Sequence, residues 1–251
     1  MNGGMHLYKY YECPSDIHFL KIRSLCGSML HNLPLNKPVP LELHPNIIGE
    51  SAVKLMHIPP LPIVKMAQKE HVDLFFNSGV IRLGSFPYFN KYDHKEIGDT
   101  QEGKTIVIGK SLIRTIIAEC AGGFDRYIFC CYAGSPDEEC IKKFGYDDYF
   151  TITNPLKFAE AISKKLSSIK YEYAKCVYNP SKVMMGIIPK DYPNNIISDE
   201  LLRIAGTAKY YLKPDNYTHQ CEFRFTWEMP NSISTFIDIE CPEALEFCSR
   251  R

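Results

Sequence analysis

An α+β fold is predicted by three observations. Helix-like and strand-like segments are interspersed without regular βαβ alternation, which argues against a doubly wound parallel sheet. Residues 219–228 alternate strictly between apolar (Cys221, Phe223, Phe225, Trp227) and polar (Gln220, Glu222, Arg224, Thr226, Glu228) side chains, the period of a half-buried strand. Fourteen Phe and 16 Tyr against one Trp, in a chain that is 45% hydrophobic and 23% charged, supply bulk for a strand-rich core. The 251 residues fit one domain spanning 1–251.

The aromatic run Leu7-Tyr8-Lys9-Tyr10-Tyr11 predicts a first strand. Residues 32–63 carry Pro34, Pro38, Pro40, Pro45, Pro59, Pro60 and Pro62, which block helix and inner strand and predict a long loop or insertion. Val64, Ala67, Val72, Phe75 and Phe76 fit one helix face over 63–76, closed by Gly79 as a left-handed cap. Val80 to Phe86 reads as a strand stopped by Pro87, and Asn90 to Gly103 as a polar turn region. Thr105 to Ile108 is a strand candidate. Arg126 to Ala133, apolar on both faces, belongs in a sheet centre. Asn154-Pro155 opens a helix with Asn as cap, Pro at the first position and a stripe of Phe158, Ala159, Ile162 and Leu166. Tyr171 to Tyr178 predicts a strand, and Ser198 a cap for a helix over 200–205. Asn231-Ser232 predicts a hairpin joining the 219–228 strand to Ile233–Ile239.

Lys+Arg and Asp+Glu are both 29, so a globally basic nucleic-acid surface is not supported, although a local basic groove remains open. No charged-then-apolar leader and no run of about 18 apolar residues is visible, which predicts a cytoplasmic chain. Ten cysteines lack a C-x-x-C pair, no H-x-x-x-H occurs, and no metal is expected. Disulfides are disfavoured in that compartment. Glycine-rich dinucleotide and phosphate loops and the G-x-S-x-G elbow are absent.

Three clusters could carry chemistry. Gln220 and Glu222, two apart on a strand, share a face with Arg224 and oppose Cys221. A carboxylate between an amide and a guanidinium is a plausible site, and a solvated strand face with a weak ion pair is the alternative. Gly84-Ser85 with Tyr88 permits close approach of a planar ring, or is a packed strand before a turn. Lys9 between Tyr8 and Tyr10 can grip a phosphate, or guards an edge strand.

In order, Lys9 with Tyr10, Ser85 with Tyr88, and Gln220-Cys221-Glu222 resemble the three-part signature of the ADP-ribosyltransferase superfamily. Arg82-Leu83-Gly84 with Tyr88, Asp99-Thr100-Gln101-Glu102-Gly103, Lys213-Pro214 and Glu222-Phe223-Arg224 also resemble motifs of bacterial proteins in its toxin-like branch. Lys9 stands where most members have Arg or His, and no Ser-Thr-Ser triplet surrounds Ser85. The resemblance implies mixed, mainly antiparallel sheets forming an NAD-binding cleft with flanking helices. It implies NAD as co-substrate, Glu222 as catalytic carboxylate and Gln220 orienting the acceptor. Lys9, Tyr10, Ser85 and Tyr88 would then bind NAD. A nucleic-acid acceptor, RNA before DNA, and an antitoxin partner follow from the same resemblance, while Arg224 either joins the site or is structural, pairing with a neighbouring acid. An inactive nucleotide- or partner-binding module and a metal-dependent nuclease are the competing readings.

Overall fold

The computed structural model describes residues 7–14, 62–91, 98–99, 102–110, 114–179, 183–187 and 209–251. The Pro-rich segment, apart from Pro62 and Ile63, and the helix expected over 200–205 lie outside them.

In chain order the elements are β1 (Leu7–Pro14), β2 (Ile63–Ala67), α1 (Lys69–Ser78), β3 (Val80–Ser85), α2 (Phe86–Lys91), β4 (Lys104–Lys110), β5 (Arg114–Ala121), β6 (Arg126–Ala133), α3 (Glu138–Lys143), β7 (Asp148–Ile152), α4 (Pro155–Leu166), β8 (Lys170–Lys175), β9 (Val177–Asn179), β10 (Val183–Ile187) and β11 (Leu212–Pro214). A 3-10 turn over Asp215–Gln220 leads into β12 (Glu222–Glu228). β13 (Ile237–Glu240), a second 3-10 turn (Pro242–Phe247) and β14 (Cys248–Arg250) follow. The class is α+β with mixed, mainly antiparallel sheets: among the described residues only β10 with β4 and β11 with β9 run parallel. Among the described residues no helix is long and apolar enough to cross a membrane.

One sheet has the order β1-β5-β4-β10, a second joins β11 to β9, and the largest runs β13-β3-β6-β2-β7-β14 with β12 and β8 attached. β6 is its axis, as its two-sided apolarity predicts. β12 pairs along one edge of β6, from Glu222 opposite Tyr132 to Glu228 opposite Arg126. The other edge is shared by β3, at Tyr127 and Ile128, and β2, at Tyr132 and Ala133.

The odd-numbered face of β12 is apolar. Phe223, Phe225 and Trp227 are wholly buried against Phe129, Phe158, Ala159 and Ile162, and the Trp227 indole donates to the Ala159 carbonyl at 3.0 Å. α4 reaches that face as its sequence foretells. Asn154 accepts the Lys157 N–H at 3.1 Å, and Pro155 fills the first turn where no hydrogen bond is lost.

Four expectations are corrected. Ile63–Ala67 is not the start of a helix but a strand between β6 and β7; the helix begins at Lys69 and ends at Gly79 (φ 72°) as expected. Ile63, Val64 and Met66 are buried on both sides of the sheet, and tertiary pairing overrides a mixed local pattern. Pro87 lies in the first turn of α2 rather than merely closing β3, with the Ser85 hydroxyl accepting the Tyr88 N–H at 3.2 Å. No hairpin follows β12: β13 crosses to β3, pairing Ile237 with Leu83 and Glu240 with Val80. Residues 171–178 break at Cys176 into β8 and β9 because β9 leaves the main sheet to pair with β11.

Candidate functional site

Strict alternation in β12 predicts one wet face, yet all residues from Glu222 to Trp227 are buried. The even-numbered face is dry because a buried run, Lys209-Tyr210-Tyr211-Leu212-Lys213, lies across it. Tyr211 shares a hydroxyl contact with Thr226 at 3.2 Å, and the Tyr210 carbonyl accepts from Arg224 at 2.7 Å. Phe86 packs with Tyr210 and Tyr211 there, against Ile128 and Ala174 of the strands that flank β12. The polar half of the strand pattern is thus an interior ionic layer.

At its centre Arg224 forks onto Glu102, with Nη2 to Oε1 at 2.5 Å and Nη1 to Oε2 at 2.8 Å. Its Nε donates to Glu222 Oε1. Lys213 Nζ donates to Glu222 Oε2 at 2.6 Å and to Gln220 Oε1 at 2.8 Å, and stands 3.6 Å from Glu102. Two carboxylates and two cations balance, which is the condition for so many charges to be tolerated out of water. The Glu222 backbone is fixed as well: its N–H donates to the Tyr178 hydroxyl at 2.7 Å, and its carbonyl accepts the Cys176 N–H at 2.8 Å.

Burial pushes the Glu222 carboxyl up, but Arg224, Lys213 and the Cys130 thiol overcome it and hold it well below the ordinary carboxylate range. Glu222 is therefore ionised at neutral pH. An ionised carboxylate offers about four acceptor positions. Arg224, Lys213 and the Cys130 thiol occupy three of them.

Gln220 and Glu222 do converge, but not because they are alternate residues of one strand. Gln220 ends the 3-10 turn, Cys221 takes a left-handed conformation (φ 40°), and β12 begins only at Glu222. Cys221 is half-buried rather than a core residue. The shared Lys213 ammonium, not the pleat, aligns amide and carboxylate. Arg224 pairs with two acids, Glu222 and Glu102.

The other sequence candidates stand on other elements. Lys9 and Tyr10 stand on β1, opposite Glu119 and Ala118 of β5, in the four-stranded sheet. Ser85 is fully buried opposite Tyr127, five residues along β6 from the position facing Glu222, or about 17 Å at 3.4 Å per residue. The half-buried Tyr88 ring packs edge-on against Phe89 and Phe236 at 5.3 and 5.5 Å. The cluster's two additional members, Glu102 and Lys213, were not among the candidate site residues. Both sit in motif segments, Asp99–Gly103 and Lys213-Pro214, but only tertiary folding brings them to Glu222. Among the described residues no group of His, Cys, Asp and Glu is placed to hold a metal ion. Comparison with family models, curated proteins and solved structures finds no match to this chain.

Proposed function

We propose that the chain is an NAD-dependent ADP-ribosyltransferase, a toxin or defence effector that modifies a nucleic acid, with RNA as the preferred acceptor. The observation that carries this reading is a buried, ionised Glu222 held beside Gln220 by the Lys213 ammonium they share. Breaking the bond between nicotinamide and ribose C1′ develops positive charge on the sugar, as in glycoside cleavage. A fixed carboxylate that accepts the ribose 2′-hydroxyl stabilises that charge most in the transition state. Nicotinamide leaves with the bonding pair, the acceptor's nucleophile bonds to C1′, and the acceptor's proton passes to solvent. Gln220 orients the acceptor, while Lys9, Tyr10, Ser85 and Tyr88 belong to the NAD-binding side of the proposal. An antitoxin partner and action in the cytoplasm belong to it too.

A second reading, a binding module without turnover, is favoured by the same network seen as architecture. Each Glu222 oxygen already holds a cation, and both cations are buried. Incubation with labelled NAD and a panel of RNA, DNA and protein separates the two. Transfer of label with stoichiometric nicotinamide release, both lost in Glu222→Gln with the fold intact, supports the enzyme. NAD binding without release supports the module. Nucleic-acid cleavage that needs Mg²⁺ and ignores NAD overturns both.

A further inference from the structure

Lys213, Gln220 and Glu222 are 3%, 5% and 5% exposed, so a ligand hydroxyl meets the Glu222 carboxylate only after part of its cover moves. The 3-10 turn Asp215–Gln220 runs past this cluster with Asn216, Thr218 and His219 exposed, while Tyr217 and Gln220 turn inward onto Lys213. The Gln220 oxygen accepts from the ammonium at 2.8 Å, and the centre of the half-buried Tyr217 ring stands 4.8 Å from the same Nζ. The Tyr217 hydroxyl reaches the Gly98 carbonyl only at 3.5 Å, the long limit for a hydrogen bond.

The turn ends at Cys221, whose φ of 40° is left-handed backbone that residues with a side chain disfavour. Such conformations persist where surrounding contacts impose them, often at switch positions. Here the Cys221 N–H donates to the Thr218 carbonyl at 3.2 Å, and its carbonyl accepts the Ala133 N–H at 2.7 Å. The second bond holds the far side of Cys221 to β6, so movement of the turn falls on its φ while β12 keeps its register. We propose that the Asp215–Gln220 turn is a lid on the ionic layer, pivoting at Cys221, with Tyr217 on Lys213 as its latch. Opening lifts Tyr217 and Gln220 off the ammonium and leaves Glu222, still bonded in the sheet, open to a ligand hydroxyl. That hydroxyl belongs to the ribose of NAD on the transferase reading, on which the inference rests for what enters; the opening itself is independent of it.

The test is amine labelling of the full native chain with an acetylating N-hydroxysuccinimide ester, in urea below the unfolding transition, read by peptide mass spectrometry. Lys142, with its side chain 77% exposed, labels at once and is the control. Lys213 is expected to label slowly, at a rate almost independent of urea, because a local opening exposes little surface. Tyr217→Ala removes the latch and should speed Lys213 by about two- to five-fold with Lys142 unchanged. A Lys213 rate that climbs with urea as steeply as alkylation of the core thiol Cys131 means that only global unfolding uncovers it, and overturns the lid. So does an unchanged Lys213 rate in Tyr217→Ala. If that variant does not fold, the urea dependence in the wild-type chain decides alone. Nicotinamide release from NAD, measured on the same protein, keeps the two claims apart. Labelling as expected without release removes the transferase and keeps the lid, whereas release with urea-steep labelling of Lys213 does the reverse.

Discussion

Replacing Lys213 by Met removes one charge and keeps most of the stem that packs beneath it. The ammonium is almost fully buried and bonds Glu222 at 2.6 Å and Gln220 at 2.8 Å, with Glu102 3.6 Å away. The variant leaves two buried carboxylates with one cation fewer between them, and a Gln220 oxygen that has lost a strong donor. A surface pair would be worth about 0–1 kcal/mol. Removing one partner of a buried pair costs about 3–5 kcal/mol, because the remaining charge stays in a dry site. That is a large share of an ordinary domain's stability of roughly 5–15 kcal/mol. For a chain of this length each kcal/mol moves the melting midpoint by about 2–4 °C, so a fall of roughly 6–20 °C is expected by calorimetry at pH 7. Adding Glu222→Gln restores the charge balance, and the double variant should recover part of the loss. A fall under about 2 °C, or two losses that simply add, would refute the view that these residues act as one neutral unit.

Acid should weaken the fold in a defined window. The Glu222 carboxyl is depressed below its ordinary 4.5, so its contribution is complete above that value and disappears as pH falls toward the folded value. Urea midpoints should be level from pH 7 to about 5.5 and decline below about 4.5, with the decline shallower in Glu222→Gln. Gly79→Ala should destabilise by more than about 1 kcal/mol in urea titration. Its φ is 72°, and an added Cβ would stand 2.5 Å from the Pro242 backbone nitrogen, which cannot swing aside. Cys131 and Cys176 should resist iodoacetamide at pH 8 in the native chain and react fully in guanidinium. Burial pushes the Cys131 thiol up to about 12 and raises Cys176 further, and mass spectrometry reads both sites.

Elements whose signal is local were legible in the sequence. α4 is announced by its Asn cap and Pro, β6 by its unbroken apolar run, and the end of α1 by Gly79. Pairing partners were not. Nothing near Ile237 says that it joins Leu83 rather than Phe223, since a strand's neighbour is chosen by the whole sheet. In the site, the acidic residue and the amide two places before it were visible, but their environment was not. Alternation in β12 separates two chemistries correctly while saying nothing about whether water touches the polar one. The buried run at residues 209–213 decides that, and no local pattern in its lysines and tyrosines places it opposite Glu102, Glu222, Arg224 and Thr226.

β12 is therefore a partition between two interiors with opposite thermal habits. Its aromatic side draws on water's aversion to hydrocarbon, which slackens in the cold. Its charged side suffers a dehydration penalty that shrinks as the solution warms. Chilling should loosen the α4 layer first, while near the upper melting limit the guanidinium–carboxylate lattice should be the last part of the sheet to let go.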